Sequence, residues 1–375
     1  MRGSLKTVAA LSVLAMAVAT GCGSNSSTSS APPSGGSSSS STPGAAGFTA
    51  CMVTDTGGLD DKSFNQSSWA GLQAAAQQDS SIQIKNLAST STADYAKNIT
   101  TFLGEHCGII VTVGFLMASA TEAAAKANPN QKFAIVDCSY KSGCLTKPVL
   151  PNIDQLTYNT VQDAFLGGYL AAGISKTGVV ATYGGLQFGT VTIYEDGFVD
   201  GVNYYNAKHH KSVKVLGWNE TTQKGTFAGG FTNLGAGSQI ANTFINANAD
   251  VIFPVAGGVG LGSAKAVQTA DAAGKHVSVL WVDVDGCASV PTYCPLFVTS
   301  VEKGITTSVT NAILSAVHGT FKGGTYVGTL ANGGAVLAPF HDWASKISPA
   351  LVSELNALKA QIESGQIVPA TKSPV

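Results

Sequence analysis

From Phe48 onward, short runs of β-branched and aromatic residues alternate with stretches whose apolar positions recur every three to four residues. The runs Phe48–Val53, Ile82–Leu87, Gly108–Val113 and Phe133–Val136 predict strands. Ser63–Gln78, Asp94–Glu105 and Met117–Lys126 predict the helices between them. In the first helix Trp69, Leu72, Ala75 and Ala76 supply an apolar face, and Ser63-Phe64-Asn65-Gln66 fits a capping box, with Ser63 expected as the cap. The alternation restarts after residue 160: helices at Val161–Ser175, Gly197–Asn206, Ser238–Asn248 and Ser263–Ala273, with strands at Gly178–Thr182, Val213–Leu216, Asp250–Val255 and Val277–Val282. The last hundred residues add strands at Leu296–Val301 and near Tyr326, and helices at Ile305–Val317 and Ser348–Ser364. Strand and helix in turn mean a parallel sheet with helices on both faces. There are too many elements for one such unit, so two doubly wound α/β lobes are predicted. The expected division is 48–160 plus about 288–320 for the first lobe and 161–287 plus about 321–375 for the second.

The first 47 residues follow a different pattern. Arg2 and Lys6 precede an apolar stretch, Val8–Val18, which is too short to span a bilayer as a stop-transfer helix. It ends in Ala19-Thr20-Gly21-Cys22, small residues before a cysteine, which resembles the lipobox of bacterial lipoprotein signal peptides. Residues 1–22 therefore read as a signal peptide ending at a lipidated Cys22; an ordinary secretory signal cleaved elsewhere is the alternative. In the 21 residues from Gly23 to Pro43, 11 are serine. A segment of that composition cannot bury a core, so 23–47 is expected to act as a flexible tether holding the folded body off a membrane surface. Six cysteines remain, and an exported chain can keep disulfides. Proximity in sequence suggests Cys138 with Cys144, Cys287 with Cys294, and Cys51 with Cys107; neither close pair has zinc-site spacing. Lys plus Arg is 21 against 22 for Asp plus Glu. The chain therefore lacks the basic excess of a nucleic-acid binder.

Ligands of open parallel sheets bind beyond the carboxyl ends of the strands. Here those ends carry Thr54-Asp55, Gly114-Phe115, Asp137, Tyr183-Gly184, Gly217-Trp218, Ala256-Gly257-Gly258 and Asp283. The stretch Val53–Gln66, with Asp55-Thr56-Gly57-Gly58 and Asp61-Lys62-Ser63-Phe64-Asn65-Gln66, resembles the basic membrane protein family of bacterial lipoproteins. The resemblance continues at Phe165–Ala172, Glu195–Phe198, Asp250–Gly258, Val282–Gly286 and Val298–Lys303. It implies a type I periplasmic-binding fold and a lipid-anchored, extracytoplasmic receptor that hands a nucleoside, purine favoured, to the permease and ATPase of an ABC transporter. It also implies a monomer without cofactor, metal or catalytic residue. Carried over by position, Asp55 and Asn65 would meet the base, Phe64 and Tyr194 would stack on it, Asp137 and Asp283 would accept from ribose hydroxyls, Gly257 would allow close backbone approach, and Lys303 would donate to the sugar.

Plainer readings stand beside these. An Asp ending a strand can be the N-cap of the next helix, Phe64 can be a hydrophobic staple, and Phe115 is expected in the core. Gly258-Val259-Gly260-Leu261-Gly262 lacks the ending of a phosphate-binding loop. A hydrolase would draw on the carboxylates Asp55, Asp60 and Asp61, yet no histidine falls in a strand-end motif and no Gly-x-Ser-x-Gly elbow occurs. A ligand-responsive nucleoside or sugar sensor is the remaining alternative.

Overall fold

A computed structural model describes residues 47–373 and 375. The signal peptide, Cys22 and the tether up to residue 46 lie outside the described residues.

Two six-stranded sheets form the framework. In chain order the strands are β1 (Thr49–Val53), β2 (Gln83–Leu87), β3 (Ile109–Val113), β4 (Phe133–Val136), β5 (Ile153–Tyr158), β6 (Val179–Gly184), β7 (Lys214–Leu216), β8 (Trp218–Asn219), β9 (Lys224–Gly225), β10 (Val251–Val255), β11 (Ser278–Asp283), β12 (Phe297–Lys303), β13 (Gly324–Gly328) and β14 (Ala335–Leu337). The helices are α1 (Phe64–Gln78), α2 (Asp94–Gly104), α3 (Ala118–Ala127), α4 (Val161–Ile174), α5 (Gly189–His209), α6 (Leu234–Asn246), α7 (Gly260–Ala272), α8 (Gly286–Ser289), α9 (Ile305–Val317) and α10 (Pro349–Glu363). The first sheet runs β13-β5-β4-β3-β1-β2, all parallel. The second runs β14-β12-β11-β10-β6-β7, parallel except for the short antiparallel edge β14. Central strands such as β3 (IIVTV) and β10 (VIFPV) are buried along their whole length. Helices cover both faces, so the side chains there are mostly apolar, and a polar one such as Thr112 is hydrogen-bonded.

The predicted division of the last ninety residues needs correction. β12 pairs with β11 of the second sheet, so 288–304 belong to the second lobe rather than the first. α9 then returns to the first lobe, where the hydroxyls of Thr306 and Thr310 donate to the carbonyls of Ser67 and Gly71 on α1. β13 pairs with β5, so 321–328 also lie in the first lobe. β14 and α10 complete the second. The chain therefore passes between lobes three times, at 158–161, 303–305 and 328–335. These passages touch one another: the Asn159 N–H donates to the Gly328 carbonyl and the Gly304 N–H to the Gly334 carbonyl. A Cβ at Gly334 would come 2.2 Å from Gly328 Cα, so the passages run side by side only as glycine.

Three disulfides join Cys51 to Cys107, Cys138 to Cys144 and Cys287 to Cys294. The first ties β1 to the turn before β3, inside the core of the first lobe.

Candidate ligand-binding site

The carboxyl ends of the two sheets face one cleft, the kind of place where small-molecule sites form. Its lining includes all eight residues expected from the sequence: Asp55, Phe64, Asn65, Asp137, Tyr194, Gly257, Asp283 and Lys303. Asp137 follows β4 and Asp283 ends β11, which hold the same position in their respective sheets. Both adopt left-handed backbone, φ 62° and 67°. That conformation is uncommon for a residue other than glycine and concentrates at functional sites.

One wall is built by the loop from β1 to α1. The Asp61 carboxylate accepts from the backbone N–H groups of Ser63, Asn65 and Gln66. It therefore caps α1, and the Ser63 capping box does not form: the Ser63 hydroxyl instead donates to Asp283 Oδ2 at 2.8 Å, across the cleft. A carboxylate two residues before the serine reaches more of the free amides of the first turn than a hydroxyl can, and carries the charge favoured at a helix N-terminus. Burial pushes the Asp61 pKa up to about 6 against the pull of these bonds. The Asn65 amide donates from Nδ2 to Asp55 Oδ1 (2.8 Å) and to Asp61 Oδ2 (3.1 Å). Asp55 Oδ1 also accepts from the Gly57 N–H. A Cβ on Gly57 would lie 2.8 Å from Asn65 Nδ2, so this polar node closes only over glycine. Burial raises the Asp55 pKa; its bonds to Asn65 and Gly57 oppose that shift.

The opposite end is charged. Lys303, at the end of β12, donates to Asp137 Oδ2 at 2.5 Å and lies 3.6 Å from Asp283 Oδ1. Burial alone would lower the Lys303 pKa, but the carboxylates of Asp137 and Asp283 outweigh it and the pKa is raised. Burial raises that of Asp137, with Lys303 pulling it back. The buried Tyr194 hydroxyl donates to Asp283 Oδ1 at 3.1 Å. The ammonium of Lys303 stands 5.2 Å from the Phe64 ring centroid and 5.0 Å from that of Tyr194. Both are cation–π distances.

Aromatic rings bridge the lobes. Phe115, after β3, stacks on Phe188 of the second lobe with centroids 4.1 Å apart and planes 6° apart, and meets Phe231 edge-on at 6.2 Å. Phe115 thus lines the cleft while also packing against the core of its own lobe, as expected. Gly257 has φ +51°, and a Cβ there would meet only Phe231, at 3.9 Å; backbone conformation, not lack of room, is what suits glycine.

The sequence did not point to Thr190, Val191 or Phe231 as lining residues. Phe231 lies in a loop outside any strand end, and only the tertiary fold brings it to the cleft. Of the three carboxylates a hydrolase would draw on, Asp55 and Asp61 meet at Asn65 in the cleft and Asp60 stands apart. Asp60 is exposed and paired with Lys62, and Asp61 is held by the helix start. None of the six histidines lines the cleft.

The profile of the Bmp family, described as "ABC transporter substrate-binding protein PnrA-like", matches residues 48–372. The chain belongs to this family. It is thus an ABC transporter substrate-binding protein, with the two-lobed periplasmic-binding architecture. Among curated relatives, the ABC transporter nucleoside-binding protein BmpA of Lactococcus lactis subsp. cremoris is 30% identical over 76% of this chain and 75% of its own length. A CD4+ T-cell-stimulating antigen of Listeria monocytogenes is 30% identical over 85% and 87%. Basic membrane protein A of Borreliella burgdorferi is 28% identical over 83% and 85%. Among solved structures, a solute-binding protein of an ABC transporter system from Aeropyrum pernix superposes with a TM-score of 0.76 at 23% identity, covering 86% of this chain and 94% of that one. No helix among the described residues is long and apolar enough to cross a membrane.

Proposed function

We propose that the cleft captures a purine nucleoside outside the cytoplasm and delivers it to an ABC permease, with the protein held at the membrane by lipid on Cys22. The observation that carries this reading is the division of the cleft into two chemically distinct ends. At one end the acceptors Asp55 and Asn65 stand beside the rings of Phe64, Phe115 and Phe231, which suits a flat base with donor groups on its edge. At the other, Asp137 and Asp283 flank Lys303. A carboxylate accepts about four hydrogen bonds and an ammonium donates three, so each keeps capacity for ribose hydroxyls beyond its present contacts. In this reading Tyr194 serves the sugar end by holding Asp283, and the stacking role expected for it passes to Phe231. Four carboxylates against one lysine around the cleft disfavour a phosphorylated ligand. The nucleoside-binding name of the Lactococcus relative supports the assignment.

Calorimetric titration of the mature chain with inosine, adenosine and guanosine tests the reading. At least one should bind, with compaction visible by small-angle scattering as the lobes close. Heat with a free sugar or amino acid and none with any nucleoside would sink it. For the anchor, Cys22→Ser should leave the protein unprocessed or release it from the membrane fraction; unchanged processing and membrane association would refute lipidation.

A further inference from the structure

One carboxylate of the second lobe ties two distant segments together. Asp196, on α5, is 1% exposed, and the roughly four hydrogen bonds a carboxylate can accept are all supplied by neutral donors. Oδ1 accepts from Trp218 Nε1 (2.9 Å) and Gln223 Nε2 (2.8 Å), both in the hairpin of β8 and β9. Oδ2 accepts from the Thr371 hydroxyl (2.8 Å) and the Lys372 N–H (3.0 Å). The segment Ala370–Ser373 follows α5 on either side of this point. The Ala370 N–H donates to Asp200 Oδ2 at 2.8 Å, and the hydroxyls of Ser373 and Thr192 share a hydrogen bond of 2.6 Å. Thr192, Asp196 and Asp200 are spaced by four and so share one face of the helix. The Lys372 ammonium reaches on to the hairpin, donating to the Thr221 carbonyl at 2.6 Å.

The hairpin continues directly into the cleft. Trp218 meets Phe227 edge-on at 6.0 Å. Residues 226–230 run along the end of β6: the Gly184 N–H donates to the Thr226 carbonyl, the Ala228 N–H to the Gly184 carbonyl and the Gly230 N–H to the Gly185 carbonyl. Phe231 comes next, its ring so close over Gly185 that a Cβ there would fall 2.2 Å from it. Resting on the nucleoside reading, we propose that Asp196 is a positioning residue for the base end of the cleft, and that Ala370–Ser373 is the strap that completes it. Neither lines the cleft. Without the strap, Asp196 Oδ2 loses both its donors and Thr221 loses Lys372. The hairpin is then held from one side only, and Phe231 loses its fixed depth beside the base.

The test is a double-mutant cycle read by calorimetry on the mature chain, with guanosine, inosine and adenosine as probes. One variant stops after Pro369, the second is Phe231→Ala, and the third carries both changes. The stop should weaken the nucleoside that the parent binds best by about two- to tenfold, the worth of one displaced aromatic contact. In the Phe231→Ala background the same stop should change affinity by less than about twofold, because the ring it positions is gone. A purely structural strap would lower Tm and leave the affinity of the folded protein unchanged well below Tm. A folded stop variant that binds as the parent does, or equal losses in the two backgrounds, overturns the inference and leaves the nucleoside reading intact. Absence of heat with every nucleoside on the parent overturns both. Should the shortened chain fail to fold, Thr371→Val removes one donor from Asp196 with the backbone in place, and the same cycle with Phe231→Ala decides.

Discussion

Replacing Lys303 with methionine removes the cation buried between Asp137 and Asp283 and nothing of comparable volume. The three side chains are 4%, 6% and 9% exposed, so water cannot take over the solvation of the carboxylates. Deleting one partner of a buried ion pair costs about 3–5 kcal/mol, because the remaining charge is left uncompensated. Unfolding entropy near the midpoint is about 2.1 cal/mol/K per residue. Over the 329 residues from Gly47 to Val375 that is about 0.7 kcal/mol/K, so Lys303→Met should lower Tm by about 4–7 °C at pH 8. The sign of the pH effect follows from the carboxylates. Burial already raises the Asp137 pKa, and losing Lys303 raises it further. A carboxyl whose folded pKa lies above its unfolded value destabilises the fold above the folded pKa, and the penalty fades as pH falls toward the unfolded value near 3.9. The gap between variant and parent should therefore narrow at pH 5. Circular dichroism melts at the two pH values read both effects. A variant melting within about one degree of the parent at pH 8, or a gap that does not narrow on acidification, would refute the ion-pair argument.

Three further outcomes are expected. Asp61→Ala leaves the first turn of α1 uncapped and should cost about 1–2 kcal/mol in urea unfolding; an unchanged midpoint would return the capping role to Ser63. Phe115→Ala removes the stack on Phe188 and Phe231, worth about 0.5–1.5 kcal/mol beyond its area, and should speed nucleoside dissociation in stopped-flow displacement; an unaltered off-rate would make the stack incidental to closure. Asp283→Ala should weaken a ribonucleoside about ten- to a hundredfold and the free base far less. Equal losses for the two would move Asp283 to the base end.

The elements were legible where burial is two-sided. Runs such as Val251–Val255 and Ile109–Val113 can only be core strands once helical periodicity begins on either side of them. The strand-end rule then placed Asp55, Asp137 and Asp283 without knowledge of which sheet each strand joined. It did not tell which lobe takes β12 or β13, because strand–helix alternation looks the same whether the chain stays in one sheet or crosses to the other. The signal for crossing is faint: Gly304, Gly328, Gly333 and Gly334 mark places where passages touch, but 43 glycines in the chain hide them. The capping pattern misled for a local reason. Ser63 and Asp61 both precede α1, and the choice between them is made by Asp283, 220 residues away, which takes the serine hydroxyl.

That substitution has consequences for how closure works. Had Ser63 capped its own helix, its hydroxyl would be a first-lobe group with no bearing on the second. With Asp61 taking the cap, Ser63 becomes a donor across the cleft to Asp283, and Lys303 of the second lobe donates to Asp137 of the first. Trp281 adds a third crossing bond, from its indole N–H to the Lys62 carbonyl. The two aspartates at matching strand ends are thus each bonded by the opposite lobe, and the carboxylates assigned to ribose also join the lobes. A sugar hydroxyl binding to either meets an acceptor already positioned by the opposite lobe. Ligand contact and lobe contact therefore share the same two oxygen pairs, and a substitution at Asp137 or Asp283 should move affinity and closure together rather than separately.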